Sequence, residues 1–407
     1  MRHALLVLAL VALGMPVAAT GDLASKHKTP RTVLAIESSA VGSQLVRVDA
    51  QSLKPVSKSV WLGGSASAWA LSPDGRRLAV ALVGDFVIRI IDASRLSHLA
   101  AIRSRDRYTS VLAWPAARRL VWLGADRVFV ADPVTRKRLS TAMLPGAFIM
   151  AVQRVGNTLA LLAAPTGEIG PARLALVGAG GRLRSVSLAG IRAGTVFDAE
   201  SNEGKEWRPG LAFAPDGRVF VVGAGDDPIA EVDLRTLAVT YHRPEARRSL
   251  LAKLHDWLEP RADAKMGLPG SSCSALWLGD GRLAVWGSDT VRSGPEKVET
   301  TPTGLSIIDT QDWTIESVDV RAERVAFAAG TLLTTTEGAG LTGYSTDGRR
   351  RFRVFDGESV WVAATFGSKV YVLPRRGRMR VVDAATGRVV GTRRAVPWIL
   401  HKDFSWQ

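Results

Sequence analysis

The residues with the most obvious capacity for chemistry lie between positions 164 and 302. The stretch DAESNEGKE carries Asp198, Glu200, Asn202 and Glu203, a run of oxygen donors loosely like a calcium loop. A calcium loop needs glycine at its sixth place and a bidentate acid at its twelfth. Here Gly204 comes one place late and Pro209 holds the acid's position, so calcium is not expected. His255 and Asp256 stand side by side, but no two histidines have the spacing that puts two ligands on one helix face, so zinc or iron is not expected either. A G-x-S-x-G nucleophile and a glycine-rich phosphate loop are both absent. Cys273 is the single cysteine, which rules out a disulfide within the chain, and its setting SSCSALWLGD reads as a small buried thiol on a strand.

The elements that must position these residues are strands. SPDGRRLAVA at 72–81 returns as APDGRVFVVG at 214–223 and as GDGRLAVWG at 279–287. Proline presets φ and glycine takes the conformation other residues avoid, so each marks a tight turn between two strands. The unit at 67–104 reads as four strands, the third ending in Asp92, and the same ending recurs at Asp49, Asp132, Asp233, Asp309 and Asp383. An aspartate there accepts hydrogen bonds from N–H groups two residues on and closes the turn into a fourth strand. Units fall near 32–62, 67–104, 110–144, 147–190, 208–243, 271–321, 324–356 and 359–395. The count is eight, or seven if 324–357 belongs to its neighbours. The first unit has only three strands, and AVPWILH at 395–401 would supply the fourth, removing the open edges of a row of sheets.

These blades, SPDGRRLAVA with third strands ending in VDA or IIDA and then DAATGRVVG, resemble those of the YVTN-type and quinoprotein-amine-dehydrogenase-like propellers, mostly exported bacterial proteins. The resemblance implies an all-β β-propeller of four-stranded antiparallel blades closed by its N- and C-terminal strands. It carries no catalytic residue, and the repeated Gly-His and Trp-Asp pairs of WD40-type repeats are missing. One inserted helix is expected within 243–270, where Leu250, Leu251, Leu254, Trp257 and Leu258 make an apolar face and Pro260 ends it.

Arg2 and His3 precede an apolar run that ends in small residues, so 1–19 reads as a signal peptide cleaved near Ala19, with an extracytoplasmic destination. The run is shorter than the about 20 residues a membrane span needs. A polar tether at 20–30, the propeller at 31–401 and a tail at 402–407 complete the expected organisation. Net charge is +15, which draws anions, and export weighs against nucleic acid.

In up-and-down blades the second-to-third and fourth-to-first links share one rim. The long insertions 164–172, 190–209, 243–270 and 287–302 all belong to such links in blades 4 to 6. Binding residues concentrate in long connections over a rigid scaffold, so Glu168, Asp198, Glu200, Glu203, Trp207, Arg208, His255, Asp289 and Arg292 are the candidate partner-binding groups. Among them Glu200, Trp207 and Arg208 read as surface residues whose removal spares the fold. A second candidate is a basic patch of Arg349, Arg351, Arg353, Arg375, Arg376 and Arg378, suited to a carboxylate or phosphate. Trp69, Trp114, Trp277 and Trp361 fall on innermost strands and read as packing between blades, not as a quinone site. No cofactor is expected. The favoured reading is a monomeric, exported, non-enzymatic propeller that binds a protein or an anionic envelope component. The alternative is a propeller enzyme, a lactonase, lyase or dehydrogenase, with its site at the channel mouth.

Overall fold

The computed structural model describes residues 31–39, 42–104, 109, 111–124, 127–144, 147–155, 158–178, 181–198, 203–246, 271–292, 298–393 and 398–400. These form eight sheets, antiparallel but for one short parallel strand in blade 6, and each but the first is built from consecutive segments of the chain. Blade 2 shows the plan: Ala66–Leu71, Arg77–Leu82, Val87–Asp92 and Ser97–Arg103 pair in chain order. Its first two strands are almost wholly buried while its fourth is mostly exposed, which places the first strand inside and the fourth at the periphery.

Each of eight apolar clusters spans one pair of adjacent blades, and together they account for every seam of a ring. Leu34, Ile36 and Leu45 of blade 1 pack with Trp69, Leu78 and Val80 of blade 2, and the series continues to blades 7 and 8. The last cluster joins Tyr371, Met379 and Val381 of blade 8 to Val33, Val46 and Leu53 of blade 1. At this closing seam the buried Tyr371 hydroxyl donates to the Ala50 carbonyl at 2.9 Å. Trp398–Leu400 pairs antiparallel with Thr32–Ser39, Leu34 facing Leu400, and so occupies the inner position of blade 1. Arg324–Ala328, Thr331–Thr336, Gly340–Ser345 and Arg350–Val354 form a full blade 7, which fixes the count at eight.

The turns close as the aspartates predict. Asp92 accepts from the N–H groups of Ser94 and Arg95, both at 2.8 Å, and Asp233 from Arg235 and Thr236 at 3.0 and 2.7 Å. A regularity not visible in the sequence accompanies them. Four places after each of the six aspartates, Leu53, Leu96, Arg136, Leu237, Trp313 and Gly387 have φ of 55°, 52°, 61°, 62°, 57° and 73°. Only one of these is glycine, so five side chains sit in the left-handed region at a cost of roughly 1–2 kcal/mol each. The turn holds them there: the Leu96 N–H, for example, returns to the Asp92 carbonyl at 2.8 Å.

One detail differs from the expected plan. Blades 4 and 6 have five strands, not four. Among the described residues there is no helix. Of the insertion at 243–270, Glu245–Ala246 pairs parallel to Thr314–Asp319 along the outer edge of blade 6, and the helix expected at 250–258 lies outside the described residues.

Candidate functional site

Three of the four insertions prove to be continuations of the blades. In blade 6, Arg282–Arg292 and Val298–Asp309 stay paired past a register shift at Gly287/Ser288 out to Arg292 opposite Val298. In blade 4 the outer strand Leu183–Asp198 first follows Ile169–Val177. Past a shift at Pro171/Ala172 it pairs on to Ile169, and from Gly194 outward it pairs with Glu203–Trp207, Asp198 facing Glu203. Running on in register satisfies backbone groups that a long loop would leave to water. Gly194 makes the overlap possible. Its φ is 130°, and a Cβ there would stand 2.0 Å from the Glu168 carbonyl oxygen.

At the foot of these extensions the chain passes from blade 4 to blade 5 and is tied sideways in both directions. Arg208 bridges to Ser272 of blade 6, its N–H donating to the Ser271 carbonyl at 2.8 Å and its carbonyl accepting from the Cys273 N–H at 2.7 Å. Arg192 grips Asp227 of the blade 5 turn twice, through its backbone N–H at 2.7 Å and its Nε at 2.8 Å. The Arg192 guanidinium also lies 4.7 Å from the Trp207 ring centre, a cation–π distance. Trp207 packs against the apolar cluster between blades 5 and 6. Arg208 Nη2 meets Glu206 at 2.6 Å, and Asp289 accepts from the Ser271 N–H at 2.8 Å. Two buried donors, Trp207 Nε1 and Arg208 Nε, have no partner among the described residues.

This arrangement brings Trp207, Arg208 and Asp289 together where blades 4, 5 and 6 meet. Glu168 is exposed in the hairpin beside Gly194. The backbones of Asp198, Glu203 and Arg292 belong to the extended strands, whereas Glu200 and His255 lie outside the described residues. Trp207 and Arg208 are half-buried and tied into neighbouring blades, whereas the sequence read them as surface groups. Arg192, Asp227 and Glu206 were not singled out in the sequence. The only hints were GDDP in a tight turn and an arginine in the glycine-flanked GIRAG.

The second candidate group is spread over blades 7 and 8. Arg349 pairs with Asp347, Arg353 with Asp356 and Arg375 with Glu337, while Arg351 donates to the Thr331 hydroxyl. Arg376 and Arg378 are exposed in the second-to-third turn of blade 8. Acids therefore accompany much of this charge.

Trp69, Trp114 and Trp277 are buried in the seams, and Trp277 stacks on Phe220 of blade 5 at 5.3 Å with planes 2° apart. Cys273 is buried on the inner strand of blade 6, and burial pushes its thiol up to about 12, so it stays protonated. Among the described residues no group of three or more His, Cys, Asp and Glu is placed to hold a metal ion, and no helix is long and apolar enough to cross a membrane. A groove of ≈ 90 Å³ lined by Arg282, Asp309, Thr314, Glu316 and Asp347 lies on the opposite, short-turn side of blades 6 and 7.

No protein-family profile matches the chain, and no curated protein matches its sequence. Solved structures do match its shape. The dihydro-heme d1 dehydrogenase NirN, solved in complex with DHE, is similar with a TM-score of 0.60 at 14% identity over 95% of this chain and 78% of that one. AztD from Citrobacter koseri is similar at 0.55 and 12% identity, covering 91% and 96%, and BamB from Moraxella catarrhalis at 0.50 and 10%, covering 93% and 99%. With the eight interlocked sheets, these likenesses establish the fold: the chain is an eight-bladed β-propeller.

Proposed function

We propose that the chain is an exported, non-enzymatic propeller that binds a protein or another component of the cell envelope through the extended rim of blades 4 to 6. The observation that supports this most directly is the pair of strand extensions, in blades 4 and 6, rising from the rim opposite the short turns. Paired strands present a stiffer surface than loops, so less conformational freedom is lost when a partner docks. The groups at their foot are already engaged with one another, Arg192 with Asp227 and Arg208 with Glu206, a geometry suited to holding a recognition surface in place. Export is supported by the leader-like residues 1–19. NirN, AztD and BamB share the fold under unlike names, so the fold alone does not decide the role.

Site-specific photo-crosslinkers test this reading. Placed at Glu168 and Asp289 they are expected to capture a discrete envelope component, while the same groups at Ser94 and Gln311 on the opposite rim are not. Equal capture from both rims, or capture from neither, would refute it.

A further inference from the structure

The side of the ring away from the extensions is strongly uneven in charge. Among its turns, blades 5 and 6 set five aspartates, at 216, 233, 280, 309 and 312, against Arg218, Arg235 and Arg282. Blades 3 and 4 do the reverse. Their turns at 116–119, 131–138, 154–158 and 177–184 hold a single acid, Asp132, and Asp132 is buried and taken up by Arg118 at 2.6 Å. Arg136, Lys137, Arg138, Arg182 and Arg184 have no acidic partner among the described residues, and all five are exposed. Arg184 donates only to the carbonyls of Leu234 and Arg235, both at 2.9 Å, so its charge is not neutralised.

These residues come from two blades with adjoining turns; the Arg184 guanidinium reaches over the blade 5 turn, and that of Arg138 lies 5.9 Å from the Phe129 ring centre. The blade 4 turn lies directly on the outer strand of blade 3, where Gly181 backs onto Ser140 and Val130, which sets Arg182 beside the Arg136–Arg138 turn. At the tip of that turn Val134 is 53% exposed, an apolar group followed in the chain by Arg136, Lys137 and Arg138. A cluster of basic side chains beside a protruding apolar one matches an anionic bilayer, where phosphate headgroups meet the charges and the tip enters the interface. An acidic protein would meet the charge but gives no role to Val134.

We propose that the short-turn side of blades 3 and 4 docks on an anionic lipid bilayer, with Arg136, Lys137, Arg138 and Arg182 facing headgroup phosphates and Val134 entering the interface. This inference does not depend on the partner proposed for the opposite rim. Such docking would leave that rim pointing away from the membrane.

Vesicle co-sedimentation of the full chain tests it, using phosphatidylcholine vesicles with and without one-third phosphatidylglycerol. The wild type is expected to prefer the anionic vesicles and to be released by added salt. Each neutralised charge should weaken partitioning by roughly fivefold, so Arg136→Gln, Lys137→Gln, Arg138→Gln and Arg182→Gln together should cost about a hundredfold or more. Val134→Ser should lower binding without changing the salt dependence. A control with Arg103, Arg243, Arg321 and Arg324 changed to Gln removes equal charge elsewhere and should bind within about threefold of wild type, whereas the patch variant should lose about a hundredfold or more. Matching thermal melts show that all variants are folded. Equal loss in patch and control variants would mean net charge alone is at work and would overturn the proposal. No preference for anionic vesicles would also overturn it, even if the patch binds an acidic protein or polyphosphate.

Discussion

On one rim of the ring a strand reverses within a few residues, and its backbone groups are satisfied by an aspartate of the same turn. On the other, the strands of blades 4 and 6 run on and satisfy their groups by pairing with each other. The first arrangement repeats around the ring and holds five non-glycine residues at positive φ. The second occurs in one sector and is anchored by a clamp between distant residues, Arg192 and Asp227. The difference teaches that turn chemistry maintains the ring, whereas the extensions add surface to a ring that is already complete. Damage to the first should therefore appear as lost stability, and damage to the second as lost binding.

The largest effect should come from opening the ring. A chain ending at residue 393 lacks Trp398–Leu400, exposes the edge of Thr32–Ser39 and leaves the seam with blade 8 unsupported. Its destabilisation is expected to exceed several-fold the about 1 kcal/mol of an average substitution, and the open edge should promote association. Thermal melting and light scattering would show both. Unchanged melting would mean that closure is not what holds the ring.

A smaller loss is expected from a single turn. Asp132→Ala removes the acceptor for the Val134 N–H at 2.8 Å and strands Arg118, and hydrogen bonds to charged groups contribute about 1.5–3 kcal/mol. Denaturant unfolding should show a loss of roughly 2 kcal/mol with the m-value unchanged.

Acid sharpens the contrast further. Hydrogen bonds from the Ser94 hydroxyl and the Arg95 N–H hold the Asp92 carboxyl below the usual carboxylate range. Bonds from the Thr236 N–H and hydroxyl do the same for Asp233, and the Ser52 N–H for Asp49. A carboxyl depressed on folding stabilises fully above its unfolded value, near 3.9, and that contribution disappears as pH falls through the lower folded value. Turn-rim stability should thus be flat from pH 7 to about 5 and fall below about 4. Asp92→Ala should melt below wild type at pH 7, and the gap should close on acidification. A constant gap would separate the turn's stability from this carboxylate.

Much of the ring was legible in the sequence because its signals are local. Pro-Asp-Gly-Arg and the strand-ending aspartates sit within a few residues of what they organise, and the three-strand first unit implied a partner near the chain's end. The extensions were not legible as strands. GSDTVRSGPEKVETTP has no apolar alternation to announce a hairpin, and its pairing comes from backbone register with the blade below. Arg192 and Asp227 are 35 residues apart, so nothing in their local sequence links them. The basic patch on blades 3 and 4 escaped notice for the same reason, being divided among turns that only the ring brings side by side.

The account rests most heavily on the claim that the extensions serve binding and not the ring. Gly287 and Gly304 face each other across the blade 6 hairpin, so residues 288–303 can be replaced by a two-residue Asn-Gly turn without disturbing the register below. Quantitative capture from envelope extract with this trimmed chain, beside wild type and with melting curves for both, is the most direct measurement. The account predicts nearly equal melting and at least a tenfold loss of the captured component. Full recovery with the trimmed chain, or its collapse on heating well below wild type, would contradict it.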